Sequence, residues 1–267
     1  MVRRLASSCT VLSRTALVGF LSFAAPCLAA CGRSSATSGD GTSPSASPSA
    51  TPSASARPGA SASAARPAAP LASRRYPDLL EPSKGAETAP PTYKATVRTS
   101  AGDFVVEVHR DWAPNAADRF YDLAKRHFFD DTRFHRVLTN FLVEFGISGD
   151  PLVNRAWRKA PIPDDPVIQH NLRGFVSFAP ESSSNRRSTE VLVNLRDNRD
   201  LDAAGYAPFG EVVTGMDVMA ALYDGYGEGE PQGQGPNASI ALAKGNAFLD
   251  ANYPRLSVLE LVMVGGS

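Results

Sequence analysis

From Tyr93 onward, apolar and polar residues alternate in short runs. Tyr93–Thr99 and Phe104–His109 place Val97, Phe104, Val106 and Val108 against polar neighbours, and Ser100-Ala101-Gly102-Asp103 between them has the composition of a hairpin turn. A period of two with a turn signal predicts a pair of half-buried strands. Further strands are predicted at Arg133–Val137, Phe141–Phe145, Gly174–Phe178, Val191–Leu195, Phe209–Val213 and Ser257–Val264. Two stretches follow the helical period instead. One opens at Pro114 and carries Ala116, Ala117, Phe120, Leu123 and Ala124 on one face; the other runs Met216–Tyr223, with Met216, Met219, Ala220 and Tyr223 on its apolar side. Eight short strands with two interposed helices predict a mainly β fold, either a closed antiparallel barrel capped by the helices or a sandwich. Periodicity alone does not separate the two.

Before Tyr93 this pattern is missing. Residues 34–73 are Ser, Ala, Pro, Thr and Gly with scattered Arg, a single acid (Asp40), and only Leu71 to pack into anything. Such a stretch cannot bury enough apolar surface to offset its ordering entropy, so a disordered linker is expected. Pro44, Pro48 and Pro52 bias it towards extended conformations and give it reach. Residues 76–91, with Tyr76, Leu79 and Leu80, are expected to form an N-terminal arm, and residues 92–265 the folded domain.

The first 30 residues read as an address. Arg3, Arg4 and Arg14 precede an apolar run from Ala16 to Ala30, broken by Pro26. A basic start, a short apolar stretch and small residues at the cut describe a secretory signal, too short for a comfortable membrane span. Leu28-Ala29-Ala30-Cys31 resembles the lipobox of bacterial lipoproteins. That resemblance implies cleavage before Cys31, diacylation of its thiol and acylation of the new amino group. Two or more acyl chains anchor a protein stably. The alternative is an ordinary signal peptide with a coincidental cysteine. The lipobox reading places the protein outside the cytoplasm, lipid-anchored to a bacterial membrane and facing the periplasm or exterior. Gly32 is not the aspartate that often retains lipoproteins in the inner membrane, which favours the outer one.

Composition narrows the chemistry. All three cysteines (Cys9, Cys27, Cys31) precede residue 32, so the domain has no disulfide framework, thiolate metal site or cysteine nucleophile. The 27 basic and 27 acidic residues balance over the chain. Residues 76–267, however, hold 19 basic and 26 acidic side chains, a net charge of about −7, whereas residues 31–75 hold five Arg and one Asp. An acidic domain on a basic tether lacks the basic face that nucleic acid needs, and it favours neutral or basic peptide segments as partners.

The informative segment is Phe134-His135-Arg136-Val137-Leu138-Thr139-Asn140-Phe141-Leu142-Val143-Glu144. Taken alone, an Arg beside a dense apolar stretch is most simply a snorkelling surface residue. Phe-His-Arg-Val, a three-residue spacer and Phe-Leu-x-Glu nevertheless resemble the cyclophilin signature, whose usual form is Phe-His-Arg-[Val/Ile]-x-x-x-Phe-Met-x-Gln. Gly174–Ala179, Val191–Leu195, Leu201-Asp202 and Pro208–Val218 follow in the family's order and spacing. The resemblance covers residues 92–265 and implies a closed antiparallel eight-stranded barrel capped by two helices. It also implies a peptidyl-prolyl cis-trans isomerase that is monomeric and acts on Pro-containing segments of exported polypeptides.

The implied chemistry is physically coherent. An X–Pro amide rotates over a barrier of about 18–20 kcal/mol because its nitrogen lone pair is delocalised into the carbonyl. A guanidinium over the prolyl nitrogen can hydrogen-bond that lone pair as it pyramidalises, so the reaction needs no nucleophile, cofactor or metal. Carried over position by position, the resemblance makes Arg136 the catalytic residue. Phe141, Leu142, Leu192, Leu201 and Tyr206 become the pocket, Ala179 a backbone contact to the peptide, and His135 a packing residue.

Several positions depart from the family. Glu144 and Glu190 stand where the family has glutamines. Glu144 is expected to orient Arg136 through a bidentate ion pair. An ionised Glu190 can only accept hydrogen bonds, whereas glutamine could also donate to a substrate carbonyl. Pro180 removes an N–H beside the peptide-holding strand. Asp200 occupies the family's usual tryptophan position, which implies weak cyclosporin binding. The Gly-rich stretch 225–236 lacks a following Lys-Ser/Thr and is expected to be an inserted surface loop, not a phosphate cradle. Two functional readings remain at this point besides the isomerase: a non-catalytic groove for Pro-containing segments, and a scaffold that uses only the barrel's outer surface.

Overall fold

The computed structural model describes residues 71–84, 86–180 and 186–265. Cys31, the expected signal and the linker up to residue 70 lie outside the described residues. The elements in chain order are α1 (Ala72–Arg75), a 3-10 turn (Pro77–Leu80), β1 (Thr92–Thr99), β2 (Gly102–His109), α2 (Pro114–Lys125), β3 (Thr132–Arg133), β4 (Arg136–Leu138), β5 (Leu142–Phe145), α3 (Pro151–Trp157), β6 (Phe175–Phe178), β7 (Val191–Asn194), α4 (Asp200–Ala203), β8 (Pro208–Thr214), α5 (Met216–Ala221), α6 (Ala238–Lys244), α7 (Asn246–Asn252) and β9 (Val258–Gly265).

The strands form one curled antiparallel sheet in the order β3-β9-β1-β2-β8-β6-β7-β5-β4. The mainly β antiparallel expectation therefore holds, and a two-sheet sandwich is excluded. Three details are corrected. Among the described residues there are nine strands rather than eight, because the expected strand Arg133–Val137 divides at Phe134-His135: its first part pairs with β9 and its second with β5. Among the described residues no ladder joins β3 to β4, so the sheet curls without complete hydrogen-bonded closure. Seven short helices appear among the described residues instead of two. The expected helix Met216–Tyr223 stops at Ala221; of the face read from the sequence it buries Met219, adds Val218, and leaves Ala220 exposed.

Alternation along the strands separates core from site. Val137, Val143, Val193 and Val176 stand opposite one another across β4, β5, β7 and β6, and all join the main core. The neighbouring row, Arg136, Glu144, Leu192 and Ser177, points to the other side. Helix α2 plugs the core with Ala116, Ala117, Phe120, Leu123 and Ala124, the face that its sequence predicts. Phe120 packs 5.4 Å from Phe129 and 5.2 Å from Phe209, ring centre to ring centre. Ala113 offers the helix no side-chain cap. Asp165, 49 residues along the chain, accepts from the backbone of Asn115 and Ala116 and so satisfies that N-terminus.

Leu79 is fully buried, and its carbonyl accepts from Trp157 Nε1 at 2.9 Å. A smaller second core joins Ile147, Ala241, Leu242, Leu249 and Leu256, with Tyr226, Phe248 and Tyr253 against it. Helices α6 and α7, which the sequence pattern left unassigned, build this satellite beside the Gly-rich loop.

Candidate active site

Arg136 leaves β4 on the face away from the core, with its side chain 22% exposed. The β4–β5 hairpin sets Glu144 directly opposite, and Arg136 Nη1 donates to Glu144 Oε1 at 2.7 Å. This bond uses one carboxylate oxygen only, which corrects the expected bidentate pair. The bidentate partner is Glu228, from the Gly-rich loop 92 residues away: Arg136 Nε donates to its Oε1 and Nη2 to its Oε2, both at 2.7 Å. The sequence contains no local signal for this contact, since only the fold brings the loop to β4.

Burial works against the charge on Arg136, but the hydrogen bonds and charges of Glu228 and Glu144 outweigh it and hold the guanidinium above its ordinary value. Glu228 is held below the ordinary carboxylate range, chiefly by its hydrogen bonds from Arg136. Burial pushes Glu144 the other way, against the pull of Arg136 and His135.

These shifts give an acid-stability signature. A carboxyl held low in the folded state contributes stability that is present above its unfolded value of about 4.3 and lost as pH falls through the folded value. The raised Glu144 has the opposite sign and does not lose stability over that range. Glu228→Gln will therefore flatten the fall in melting temperature between about pH 5 and pH 3. An unchanged slope in the variant would show that the Arg136–Glu228 pair carries none of the acid sensitivity.

The second expected glutamate sits elsewhere. Glu190 Oε2 lies 3.5 Å from His135 Nε2, with Glu144 Oε2 at 3.9 Å from the same nitrogen. His135 is 3% exposed, and neither ring nitrogen has a hydrogen-bond partner of good geometry. It packs beneath the carboxylates, as expected of a structural residue. The Ala179 N–H is taken by the Glu190 carbonyl at 2.9 Å, so it is committed to the β6–β7 connection and not open to a ligand.

Leu142 and Leu192, 3% and 0% exposed, belong to neither core cluster and lie under the site face. Phe141, Leu201 and Tyr206 are half-buried. Burial raises the Tyr206 hydroxyl, and the charges of Glu144 and Arg136 both reach it, which places Tyr206 beside the ion pair. Arg196, which the sequence did not single out, stacks its guanidinium 5.5 Å from the Phe141 ring centre.

A buried amide network holds these walls, and sequence reasoning missed it. Asn171 Nδ2 donates to the Tyr206 carbonyl and to Asp202 Oδ1, both at 2.8 Å, while its Oδ1 accepts from Ser177 Oγ and Asn194 Nδ2. Asn198 Nδ2 reaches the Phe141 carbonyl and Asn194 Oδ1, each at 2.8 Å. The only sequence cue was that these asparagines flank the apolar runs. Asn171→Ala leaves several buried partners unsatisfied and will lower the melting temperature by about 5–10 °C, for a loss of ~2–3 kcal/mol. A calorimetric shift under 2 °C, about the value of one weak bond, would show that the network is not what positions Tyr206.

Comparison with known proteins agrees with this geometry. The family model for cyclophilin-type peptidyl-prolyl cis-trans isomerase/CLD matches residues 94–242, and the chain belongs to that family. A peptidyl-prolyl cis-trans isomerase of Acinetobacter baylyi is 33% identical over 128 residues, covering 46% of this chain and 68% of the relative. Peptidyl-prolyl cis-trans isomerase B of Escherichia coli is 30% identical over 132 residues, covering 46% and 80% respectively. Among solved structures, a cyclophilin-type peptidyl-prolyl cis-trans isomerase of Cryptosporidium parvum superposes with a TM-score of 0.50 at 16% identity, covering 66% of this chain and 99% of that one. That likeness carries the fold alone.

Proposed function

We propose that the protein isomerises X–Pro bonds in exported polypeptides, with Arg136 stabilising the twisted amide. The observation that carries the reading is Arg136 itself: a charged guanidinium on the site face, fixed by Glu144, with Tyr206 beside it and the half-buried Phe141 and Leu201 as the apolar border the resemblance implies. An apolar border suits a prolyl ring, and a fixed guanidinium suits a lone pair that appears only when the amide twists. Slow X–Pro isomerisation limits the folding of many chains, so such an enzyme has clients wherever exported proteins fold. Cys31, as a lipid attachment point, and the long linker would hold the domain near a membrane while letting it reach them.

The test is a protease-coupled isomerisation assay on the domain beside Arg136→Ala. A wild-type domain no faster than the variant sinks the enzyme reading. One observation favours a second reading, a non-catalytic groove for Pro-containing segments: all three guanidinium nitrogens of Arg136 are already engaged by carboxylates. The same assay separates the two, because a groove would bind proline peptides without turnover.

A further inference from the structure

The Gly-rich loop is built around Glu228. The Gly235 N–H donates to the Glu228 carbonyl at 2.7 Å, the Glu230 N–H returns to the Gly235 carbonyl at 3.1 Å, and the Gln232 and Gly233 N–H groups close on the Gly229 carbonyl. Gly233 cannot be replaced without a shift: a Cβ there would lie 2.3 Å from the Glu228 carbonyl oxygen. The start of the loop is held. Thr139 Oγ1 donates to Asp224 Oδ2 at 2.6 Å, and Tyr226 packs edge-on against Tyr223 and Tyr253. The Gly229 N–H also donates to Glu228 Oε1 at 2.9 Å, which aims the carboxylate. The result is a preorganised acidic group seated on the Nε–Nη2 edge of Arg136.

Its position changes the electrostatics of the site. Arg136 is surrounded by Glu144 and Glu228, with Glu190 close behind through His135. The carboxylates outnumber the guanidinium, so the field at the site mouth is negative although its reacting group is positive. Of the three, Glu228 is the most accessible, at 36% of its side chain against 13% and 15% for Glu144 and Glu190. An incoming cation meets it first.

An ammonium or guanidinium on the substrate offers Glu228 a new partner in place of Arg136. The exchange frees the Nε–Nη2 edge for the prolyl amide while every charge stays paired. A neutral flank leaves Arg136 clamped, and an acidic flank adds like-charge repulsion. Resting on the isomerase reading above, we propose that Glu228 is a specificity-determining residue that makes this site select X–Pro segments carrying Lys or Arg beside the proline.

The experiment compares tetrapeptides that differ only in Lys, Ala or Glu before the proline, on the wild type, Glu228→Gln and Arg136→Ala. The wild type will turn over the Lys peptide at a kcat/KM about tenfold above the Glu peptide at low salt, and Glu228→Gln will bring the pair within about twofold. Equal ratios in wild type and Glu228→Gln, or a preference for the Glu peptide, overturn the proposal. If no peptide turns over faster on the wild type than on Arg136→Ala, the isomerase reading has failed instead. The selection is then decided by fluorescence anisotropy of the same labelled peptides. A Lys preference in binding that Glu228→Gln abolishes upholds the role of Glu228, and one that survives the substitution overturns it.

Discussion

Replacing Arg136 with alanine will lower kcat/KM for a Pro-containing peptide by about 100-fold, equivalent to ~2.7 kcal/mol of lost transition-state stabilisation. The planar amide has no free nitrogen lone pair to accept from the guanidinium, and the twisted amide does. In the proposed role of Arg136 the interaction is made at the top of the barrier and not in the ground state, so kcat should fall with kcat/KM while KM moves little. The variant also leaves Glu144, 13% exposed, without its cation and facing Glu190 and Glu228. Some loss of thermal stability will accompany the loss of rate. Arg136→Lys separates the two effects: it keeps the charge but loses the planar fork that holds Glu144 and Glu228 together, so the fold recovers more than the rate. If Arg136→Ala retains more than half of the wild-type rate while remaining folded, catalysis does not pass through this residue.

Gly146→Ala will cost more than 4 kcal/mol and lower the melting temperature by about 10 °C or more. Gly146 ends β5 with φ at 106°, a backbone region that side chains strain to occupy. A Cβ there would lie 2.1 Å from the Thr189 carbonyl oxygen, inside any contact distance, and 3.1 Å from the Glu190 Cα. Both obstacles are backbone, so no side chain can swing aside. Relief requires β5 and the entry to β7 to separate, which moves Glu144 and Glu190 together. The variant should lose stability in a thermal melt and lose whatever rate the Arg136 site supports; a melt within 2 °C of wild type would mean that the two segments part freely.

Much of this site was legible beforehand because it is local. Arg136 and Glu144 are eight residues apart on a tight hairpin, so their pairing follows from strand alternation and a short turn. Phe141 and Leu142 follow from the same segment. Helix α2 announced its buried face because Ala116, Ala117, Phe120, Leu123 and Ala124 repeat at the helical period and nothing competes for them. Where two neighbours competed, the pattern misled. Arg133–Val137 alternates like one strand, but the chain turns at the buried Phe134 and His135 to leave β9 for β5. The stretch 238–252 is interrupted at Gly245, which leaves two seven-residue pieces too short for a clear period, and its helices pack with Ile147 and Leu256 in the second core.

The amino-acid sequence by itself determined the antiparallel, mainly β class, the expectation that Glu144 orients Arg136, and the two departures from glutamine at 144 and 190. The class rests on residues close enough along the chain for a two-residue period to relate them, whereas Arg136, Glu144 and Glu190 were marked by the resemblance to the cyclophilin signature. Only the tertiary structure decided that Glu144 binds through one oxygen, that Glu190 turns to His135, and that Glu228 takes the remaining edge of the guanidinium. The reason is distance along the chain. A carboxylate 92 residues from its partner reaches it only after the sheet has curled and the satellite core has fixed the loop, and no local pattern encodes which distant carboxylate arrives there.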